Sequence, residues 1–166
     1  DCTWLKGIII PASVTEIEAN AFYCCTSLES IVVAEGNLVY DSRESCNAII
    51  ETKTNTLIYG CKSTIIPESV TEIGESAFYR CASLESIVIP KGVKKIWPFA
   101  FSYCTSLTTV TLPVGVNDIA CSVFFVCSAL ATIYVPAKKA DYYKRRLPED
   151  LRGKIVELEP EKKAKK

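Results

Sequence analysis

The chain has 166 residues, of which 49% are hydrophobic, and its 19 basic and 19 acidic residues cancel to a formal net charge of zero. This composition argues against intrinsic disorder and against a polyanion-binding surface, and no apolar run approaches the ~18 residues that a membrane helix needs. Histidine is absent, which excludes His-based catalytic triads, histidine metal sites and the commonest general base.

A repeated unit begins at the first cysteine and returns along most of the chain. Five copies align on their last residue: CTWLKGIIIP (2–11), CTSLESIVVA (25–34), CASLESIVIP (81–90), CTSLTTVTLP (104–113) and CSALATIYVP (127–136). Successive cysteines of these copies lie 23 residues apart, except across the gap from Cys25 to Cys81, which is 56 residues, or two units plus ten. The sequence therefore predicts a repeat protein in which one unit carries a ten-residue insertion.

One such unit cannot bury its apolar side alone, but stacked units can, because parallel strands ~4.8 Å apart place equivalent side chains on one another. We therefore predict a β-rich α/β solenoid over residues 1–136, with short helical turns and at least five strands in register in one parallel sheet. The predicted inward columns are Leu5, Leu28, Leu84, Leu107 and Leu130; Ile8, Ile31, Ile87, Val110 and Ile133; and Phe22, Phe78, Phe101 and Phe124. Residues 2–11 already form a complete strand unit with no polar cap before it, so we expect this open edge to result from where the chain was cut.

Cysteines recur where the chain turns into each strand, and they are predicted to be buried, reduced thiols. Adjacent coils place them one strand spacing apart, which exceeds the ~3.8 Å between Cβ atoms that a disulfide prefers. This ladder consists of Cys2, Cys25, Cys81, Cys104 and Cys127. No C-x-x-C pair occurs, so neither a metal site nor a cofactor is predicted. Cys24 and Cys121 occupy variable positions, and no role is assigned to them.

The insertion is predicted to be a β-hairpin near residues 40–62. Two β-rich segments of NAIIETKTNTLIYG surround a polar turn. Pairing them about Lys53 and Thr54 places Cys46 opposite Cys61, at a cross-strand distance that allows a disulfide. The alternative is that Cys61, which falls at the leucine position of its repeat, points into the core.

Residues 137–166 are predicted to close the stack and to end in a flexible tail. The segment AKKADYYKRRL (137–147) suits a short amphipathic helix that ends at Pro148, with Tyr142 and Tyr143 available for packing. KIVELEP is a candidate for a final strand, and EKKAKK for a frayed end. Acidic residues interleave the basic ones of this region, so no nucleic-acid partner is expected.

Catalytic motifs are not evident in the sequence. Glu16 with Glu18, and Glu72 with Glu75, are spaced acid pairs, but both fall at turn positions that other repeats fill with Lys or Pro. The sequence has no phosphate loop, nucleophile elbow or spaced calcium loop. We therefore do not expect an enzyme.

The segments SVTEIGESAFYRCASLESIVIP and GNLVYDSRESCNAIIETKTNTLIYGCKSTIIP resemble the BspA-like bacterial leucine-rich repeat family, whose unit runs SLxSIxIPxxVxxIGxxAFxxC. The resemblance covers nearly all of residues 2–136. It implies a non-catalytic, adhesin-like interaction module that is secreted to the bacterial cell surface, with a host or neighbouring-cell surface or matrix protein, or a glycan, as its partner. The alternative is a structural spacer or capping region of a larger surface protein whose binding element lies elsewhere.

The binding surface is predicted on the outer face of the repeat strands, where alternate residues point away from the core. Tyr134 is the expected anchor, because contiguous exposed apolar area that ends in an aromatic side chain often marks a contact site. The alternative is that these small β-branched residues serve only strand propensity. The two outward columns are Gly7, Ser30, Ser86, Thr109 and Thr132, and Ile9, Val32, Val88, Thr111 and Tyr134.

Overall fold

The chain winds into a solenoid of about six turns with stacked parallel strands. The computed structural model describes residues 2–18, 21–23 and 25–160, so Cys24 and the tail at 161–166 lie outside the described residues. The strands are β1 (Gly7–Ile10), β2 (Ser30–Val33), β3 (Tyr40–Asp41), β4 (Ala48–Glu51), β5 (Thr56–Gly60), β6 (Glu72–Ile73), β7 (Ser86–Val88), β8 (Lys95–Ile96), β9 (Thr109–Thr111), β10 (Asp118–Ile119), β11 (Thr132–Val135) and β12 (Ile155–Glu157). The helices are a 3₁₀ turn (Arg43–Ser45), α1 (Ala140–Lys144) and α2 (Glu149–Arg152).

The repeat strands share one face of the solenoid, which we call the sheet face, but they form two parallel sheets where one was predicted. β1 pairs with β2, and β7, β9, β11 and β12 form a second group. The break falls at the third coil, where residues 63–66 have no strand assignment. There the Ile65 N–H donates to the Cys46 carbonyl of the insertion at 3.1 Å. Since the insertion holds this segment, its backbone is not aligned with β7, and the prediction of five strands in one sheet is wrong.

A further sheet lines another side of the solenoid, and only its apolar positions were predicted from the repeat pattern. The pairs of residues in β6, β8 and β10 stack in parallel, and the strand order continues from β6 into β5, β4 and β3. β4 and β5 are antiparallel, so the predicted hairpin is present. It is not an outlying loop, because it extends this sheet and contacts β2.

Cys46 and Cys61 are free thiols, so the disulfide that the symmetric hairpin pairing would allow is not formed. Near the turn, Ile50 pairs with Leu57 as expected, but a bulge shifts the register so that Ala48 pairs with Gly60. The shift removes Cys46 from its place opposite Cys61. The two side chains then enter different core clusters, each being 1% exposed. Cys61 therefore fills the leucine position of its repeat, as the alternative interpretation held.

The predicted inward columns form the core. Leu28, Leu84, Leu107 and Leu130 are at most 2% exposed. Rings stack along the axis, with 4.9 Å between the centroids of Phe78 and Phe101 and 5.6 Å between those of Phe101 and Phe124. Leu5 and Ile8 are only partly buried, because the first coil has a neighbouring coil on one side.

The last coil is covered by α1, α2 and β12. Tyr143 of α1 is fully buried, and its hydroxyl donates to the Pro113 carbonyl. The Tyr142 hydroxyl donates to the Val116 carbonyl at 2.9 Å. β12 pairs in parallel with β11 and so extends the sheet face by one strand. α1 is shorter than the predicted helix at 137–147, because it ends at Lys144, and Pro148 instead precedes a second short helix, α2.

Candidate functional site

The apolar outward column of the sheet face is exposed over most of its length. Ile9 and Val88 are 68% and 64% exposed, and Val32 is also exposed. Thr111 and Tyr134 are half-buried. The register aligns Ile9 with Val32 in one sheet, and Val88 with Thr111 and then Tyr134 in the other.

Two residues that sequence reasoning missed extend this column. Ile65 is 78% exposed and lies two residues before Pro67, just as Val88 lies two residues before Pro90. Aligning the shortened third unit on its proline would have found it. Val156 of β12 is 46% exposed and pairs with Tyr134. We call the resulting set the apolar stripe: Ile9, Val32, Ile65, Val88, Thr111, Tyr134 and Val156.

The neighbouring outward column is small and mostly hydroxylated. Ser30 and Ser86 are exposed, whereas Thr109 and Thr132 are half-buried. The register pairs Ser86 with Thr109 and Thr109 with Thr132. These short side chains leave the apolar stripe accessible along one flank, so a flat partner surface could reach both columns.

A second exposed feature, which the sequence analysis did not predict, is a row of aromatic rings at the Ala-Phe turns. Tyr23 and Tyr79 stack with their centroids 5.5 Å apart, and Tyr103 follows Tyr79 at 5.5 Å. Phe125 continues the row 5.8 Å from Tyr103. The Arg80 guanidinium lies 5.3 Å from the Tyr23 ring centroid and 5.3 Å from that of Tyr103. The signal in the sequence was the aromatic residue one or two positions after Ala-Phe or its equivalent.

The cysteine ladder is structural in the later coils. The Cys104 thiol donates to the Phe78 carbonyl at 3.1 Å, and the Cys127 thiol to the Phe101 carbonyl at 3.0 Å. Both side chains are buried, and burial raises the pKa of Cys127 to about 11 and that of Cys104 further. Cys25 is buried as well, and burial raises its pKa.

Two members of the ladder differ from the prediction of burial. Cys2 is exposed, because the first coil is covered on one side only. Cys81 is half-buried, although burial of its thiol still raises its pKa to about 12. Cys121, at a variable position, is exposed.

Within the described part of the chain, no three His, Cys, Asp or Glu side chains are grouped so that they could hold a metal ion. No helix among the same residues is long and apolar enough to cross a membrane. Of the spaced acid pairs, Glu72 accepts a hydrogen bond from the Trp97 indole at 2.6 Å.

Comparisons with solved structures support the solenoid fold. The pneumococcal vaccine antigen PcpA aligns with a TM-score of 0.58 and 22% identity, over 79% of this chain and 39% of that one. A leucine-rich repeat protein from Bacteroides ovatus aligns with a TM-score of 0.55 and 24% identity, over 94% of this chain and 43% of that one. One from Eubacterium ventriosum gives a TM-score of 0.51 and 23% identity, over 79% and 42%. The chain thus spans about two fifths of each of these structures.

A comparison with curated proteins finds no match. The family model described as "BspA type Leucine rich repeat region" matches residues 1–59 and 49–145 in six copies. These matches include the five repeats, the insertion and α1. The chain therefore belongs to the BspA-type leucine-rich repeat family.

Proposed function

We propose that this chain is a non-catalytic, adhesin-like interaction module of a bacterial surface protein, and that its apolar stripe contacts a surface or matrix macromolecule of a host or neighbouring cell. The single observation that carries this proposal is the stripe itself. Exposed apolar area that runs over several coils is more than a solvated sheet requires, and such area commonly marks an interface.

Family membership supports the extracellular location and the absence of catalysis, because the aligned structures include a vaccine antigen and are repeat proteins of the same fold. The side chains of the apolar stripe differ in their exposure to solvent. Val88 and Ile65 project far into solvent, whereas Tyr134 is half-buried and so loses little side-chain entropy on binding. Tyrosine is also enriched among residues that dominate binding energy. Tyr134 is therefore the proposed anchor.

The test combines a binding screen with a double substitution. The chain is first applied to an array of extracellular-matrix proteins and glycans. Val88→Glu with Tyr134→Ala is then measured against any ligand found, and we expect at least a tenfold loss of affinity, which is ~1.4 kcal/mol. The free energy of unfolding should change by less than ~1 kcal/mol, since Val88 is exposed and Tyr134 is partly so.

A matched variant places the same chemical changes away from the sheet face. Val114 and Phe125 are both more than half exposed and lie outside the apolar stripe, so Val114→Glu with Phe125→Ala should retain affinity within about twofold. If the sheet-face variant folds and binds as tightly as the unmodified chain, the stripe is not the contact site. Should the array give no ligand at all, the chain acts as a spacer in a longer protein.

A further inference from the structure

A cavity of about 360 Å³ lies between the hairpin and the Ala-Phe turns of the first and third coils, away from the sheet face. Five of its lining side chains are aromatic and three are carboxylates. We call it the tyrosine cavity, and it is lined by Ile17, Glu18, Ala21, Phe22, Tyr23, Tyr40, Glu51, Ile58, Tyr59, Glu75, Ser76 and Tyr79. We propose that it binds an arginine side chain presented by an extended segment of a partner protein.

The charge of the lining favours a cation. Glu18, Glu51 and Glu75 line the cavity, and no lysine or arginine among the described residues does. The ion pairs among the described residues involve other carboxylates, those of Asp41, Glu29 and Asp118. Glu51 accepts a hydrogen bond from the Thr54 hydroxyl at 2.5 Å, which fixes its position but leaves its charge unneutralised. A cation in the cavity would therefore lie near three carboxylates, of which those of Glu18 and Glu75 are exposed and that of Glu51 is half-buried.

The rings of the cavity add to this preference, because the faces of aromatic side chains attract cations. The chain itself supplies an example at the rim. The Arg80 guanidinium lies 5.3 Å from the Tyr23 centroid and 5.7 Å from the Tyr79 centroid, and both rings also line the cavity. Arg80 offsets part of the negative charge at that edge. It also shows that these rings leave room for a guanidinium beside them.

Charge over the whole chain would guide a basic partner to this end of the solenoid. Residues 1–85 contain 12 acidic and 5 basic side chains, a net charge of −7, whereas residues 86–166 contain 7 acidic and 14 basic ones, a net charge of +7. The zero total conceals this separation. Because the tyrosine cavity lies in the acidic half, long-range attraction would bring a basic segment towards it and away from the cap.

Arginine fits the cavity better than lysine does. A guanidinium is planar, stacks on rings and donates paired hydrogen bonds to carboxylates, whereas an ammonium is a strongly hydrated point charge. The volume suits a single long side chain with its adjoining backbone rather than a folded element.

The experiment is a peptide titration that is monitored by NMR through the amide chemical shifts of the protein. The probe is the capped heptapeptide acetyl-Gly-Ser-Gly-Arg-Gly-Ser-Gly-amide, and we expect shifts concentrated at Tyr59, Glu75 and Tyr79. The peptide with lysine at the central position should bind at least threefold more weakly. The peptide with glutamate there should not bind. Free N-acetyl-arginine methylamide should also bind at least threefold more weakly. If N-acetyl-arginine methylamide bound as tightly as the arginine heptapeptide, the cavity would be a site for small guanidinium compounds. That result would overturn the assignment to a polypeptide.

Two triple variants with the same change in net charge separate a defined site from a diffuse field. Glu18→Gln with Glu51→Gln and Glu75→Gln should weaken peptide binding at least tenfold. The control replaces three exposed acids of the same half that do not line the cavity, Glu16, Glu35 and Glu85, by Gln and should change affinity less than twofold. Equal losses in the two variants, or no loss in the first, would overturn the proposal.

Tyr79→Leu tests the aromatic contribution and should weaken binding of the arginine peptide more than that of the lysine peptide, because stacking is specific to the guanidinium plane. Each variant is checked by thermal unfolding before titration. The tyrosine cavity shares no residue with the apolar stripe, so a failure here leaves the proposed function of the sheet face untouched.

Discussion

The thiols of Cys104 and Cys127 show why cysteine suits the start of a repeat strand. Each side chain is small enough for a closed turn, and each donates to the carbonyl of a phenylalanine in the preceding coil. Each carbonyl also accepts a backbone N–H within its own turn, that of Cys81 for Phe78 at 3.0 Å and that of Cys104 for Phe101 at 3.3 Å, so the thiol adds a second hydrogen bond. The ladder therefore links successive coils through hydrogen bonds, with no need of a covalent bond.

Another residue-scale link joins the first two coils. The Asn37 side-chain amide donates to the carbonyls of Pro11 and Val14 at 3.0 and 2.9 Å. Its oxygen accepts from the backbone N–H groups of Val39 and Tyr40 at 2.9 and 2.8 Å. One asparagine thus satisfies four backbone groups where the repeat departs from its regular course.

Alkaline pH should destabilise the protein through its buried thiols. Burial raises the pKa of Cys127 from 9.0 to about 11, so the folded state holds this proton more tightly than the unfolded state does. The stabilisation is fully present below pH 9 and is lost as pH rises towards 11. Urea unfolding at a series of pH values measures this effect. Between pH 9 and pH 11, Cys127→Ser should lose less free energy of unfolding than the unmodified chain, because serine does not ionise in this range.

The serine variant can still donate to the Phe101 carbonyl, so it should fold at neutral pH. Exposed Cys121 provides the control, because Cys121→Ser should keep the pH dependence of the unmodified chain. If the free energy of unfolding fell with pH in parallel for Cys127→Ser and the unmodified chain, this thiol would not contribute to alkaline destabilisation.

At the scale of the element, the turns that end each coil adopt an uncommon backbone conformation. Arg80, Tyr103 and Val126 occupy equivalent repeat positions with φ values of 58°, 60° and 56°. Left-handed backbone costs a non-glycine residue roughly 1–2 kcal/mol. It allows inter-coil hydrogen bonds, from the Arg80 N–H to the Ser102 carbonyl at 2.9 Å and from the Tyr103 N–H to the Phe125 carbonyl at 2.8 Å. These bonds continue the pairing of coils beyond the two sides that carry sheets.

The turn after β7 should tolerate no side chain at Gly92. A Cβ atom there would lie 2.3 Å from the Glu68 carbonyl oxygen and 2.7 Å from that of Val70. Both atoms belong to the backbone of the preceding coil, so relief requires the coils to move apart. We expect Gly92→Ala to lower the free energy of unfolding by ~2–3 kcal/mol, measured by urea denaturation.

Gly153 offers the matched comparison, because a Cβ there meets nothing within 4 Å and its φ is −71°. Gly153→Ala should leave stability unchanged or raise it by up to ~1 kcal/mol. A similar, small effect of both substitutions would mean that the coils are less closely packed at Gly92 than the structure indicates.

At the scale of the whole molecule, stability depends on how the cap holds the last coil. Tyr143 fills the interior beneath α1, and β12 protects the edge of β11 from pairing with another chain. The cap also carries much of the positive charge that opposes the acidic first half. Its docking therefore affects both the stability of the fold and the charge separation along the axis.

Tyr143→Ala should release α1, because it removes a fully buried ring and the hydrogen bond to the Pro113 carbonyl. The expected loss is ~3–5 kcal/mol, or a melting temperature lower by roughly 6–20 °C in a domain of this size. Tyr142→Phe, which removes only a partly buried hydroxyl, should cost ~1 kcal/mol. If calorimetry gave both variants the same melting temperature, the cap would contribute little to cooperative unfolding.

The sequence by itself determined the repeat period, the inward columns of Leu, Ile and Phe, the family and the position of the hairpin. These features depend on local periodicity, which repeats in every unit and is visible without a structure. The outward direction of Ile9 and Val88 followed from the same alternation.

Tertiary structure decided the rest. The bulge between β4 and β5 shifts the register by one residue, which sends Cys46 and Cys61 to different clusters, and no local pattern specifies such a shift. The break in the sheet face arises because the hairpin holds Ile65 from a distance in the chain. The tyrosine cavity gathers residues from 17 to 79, so its carboxylates and rings become neighbours only when the coils stack.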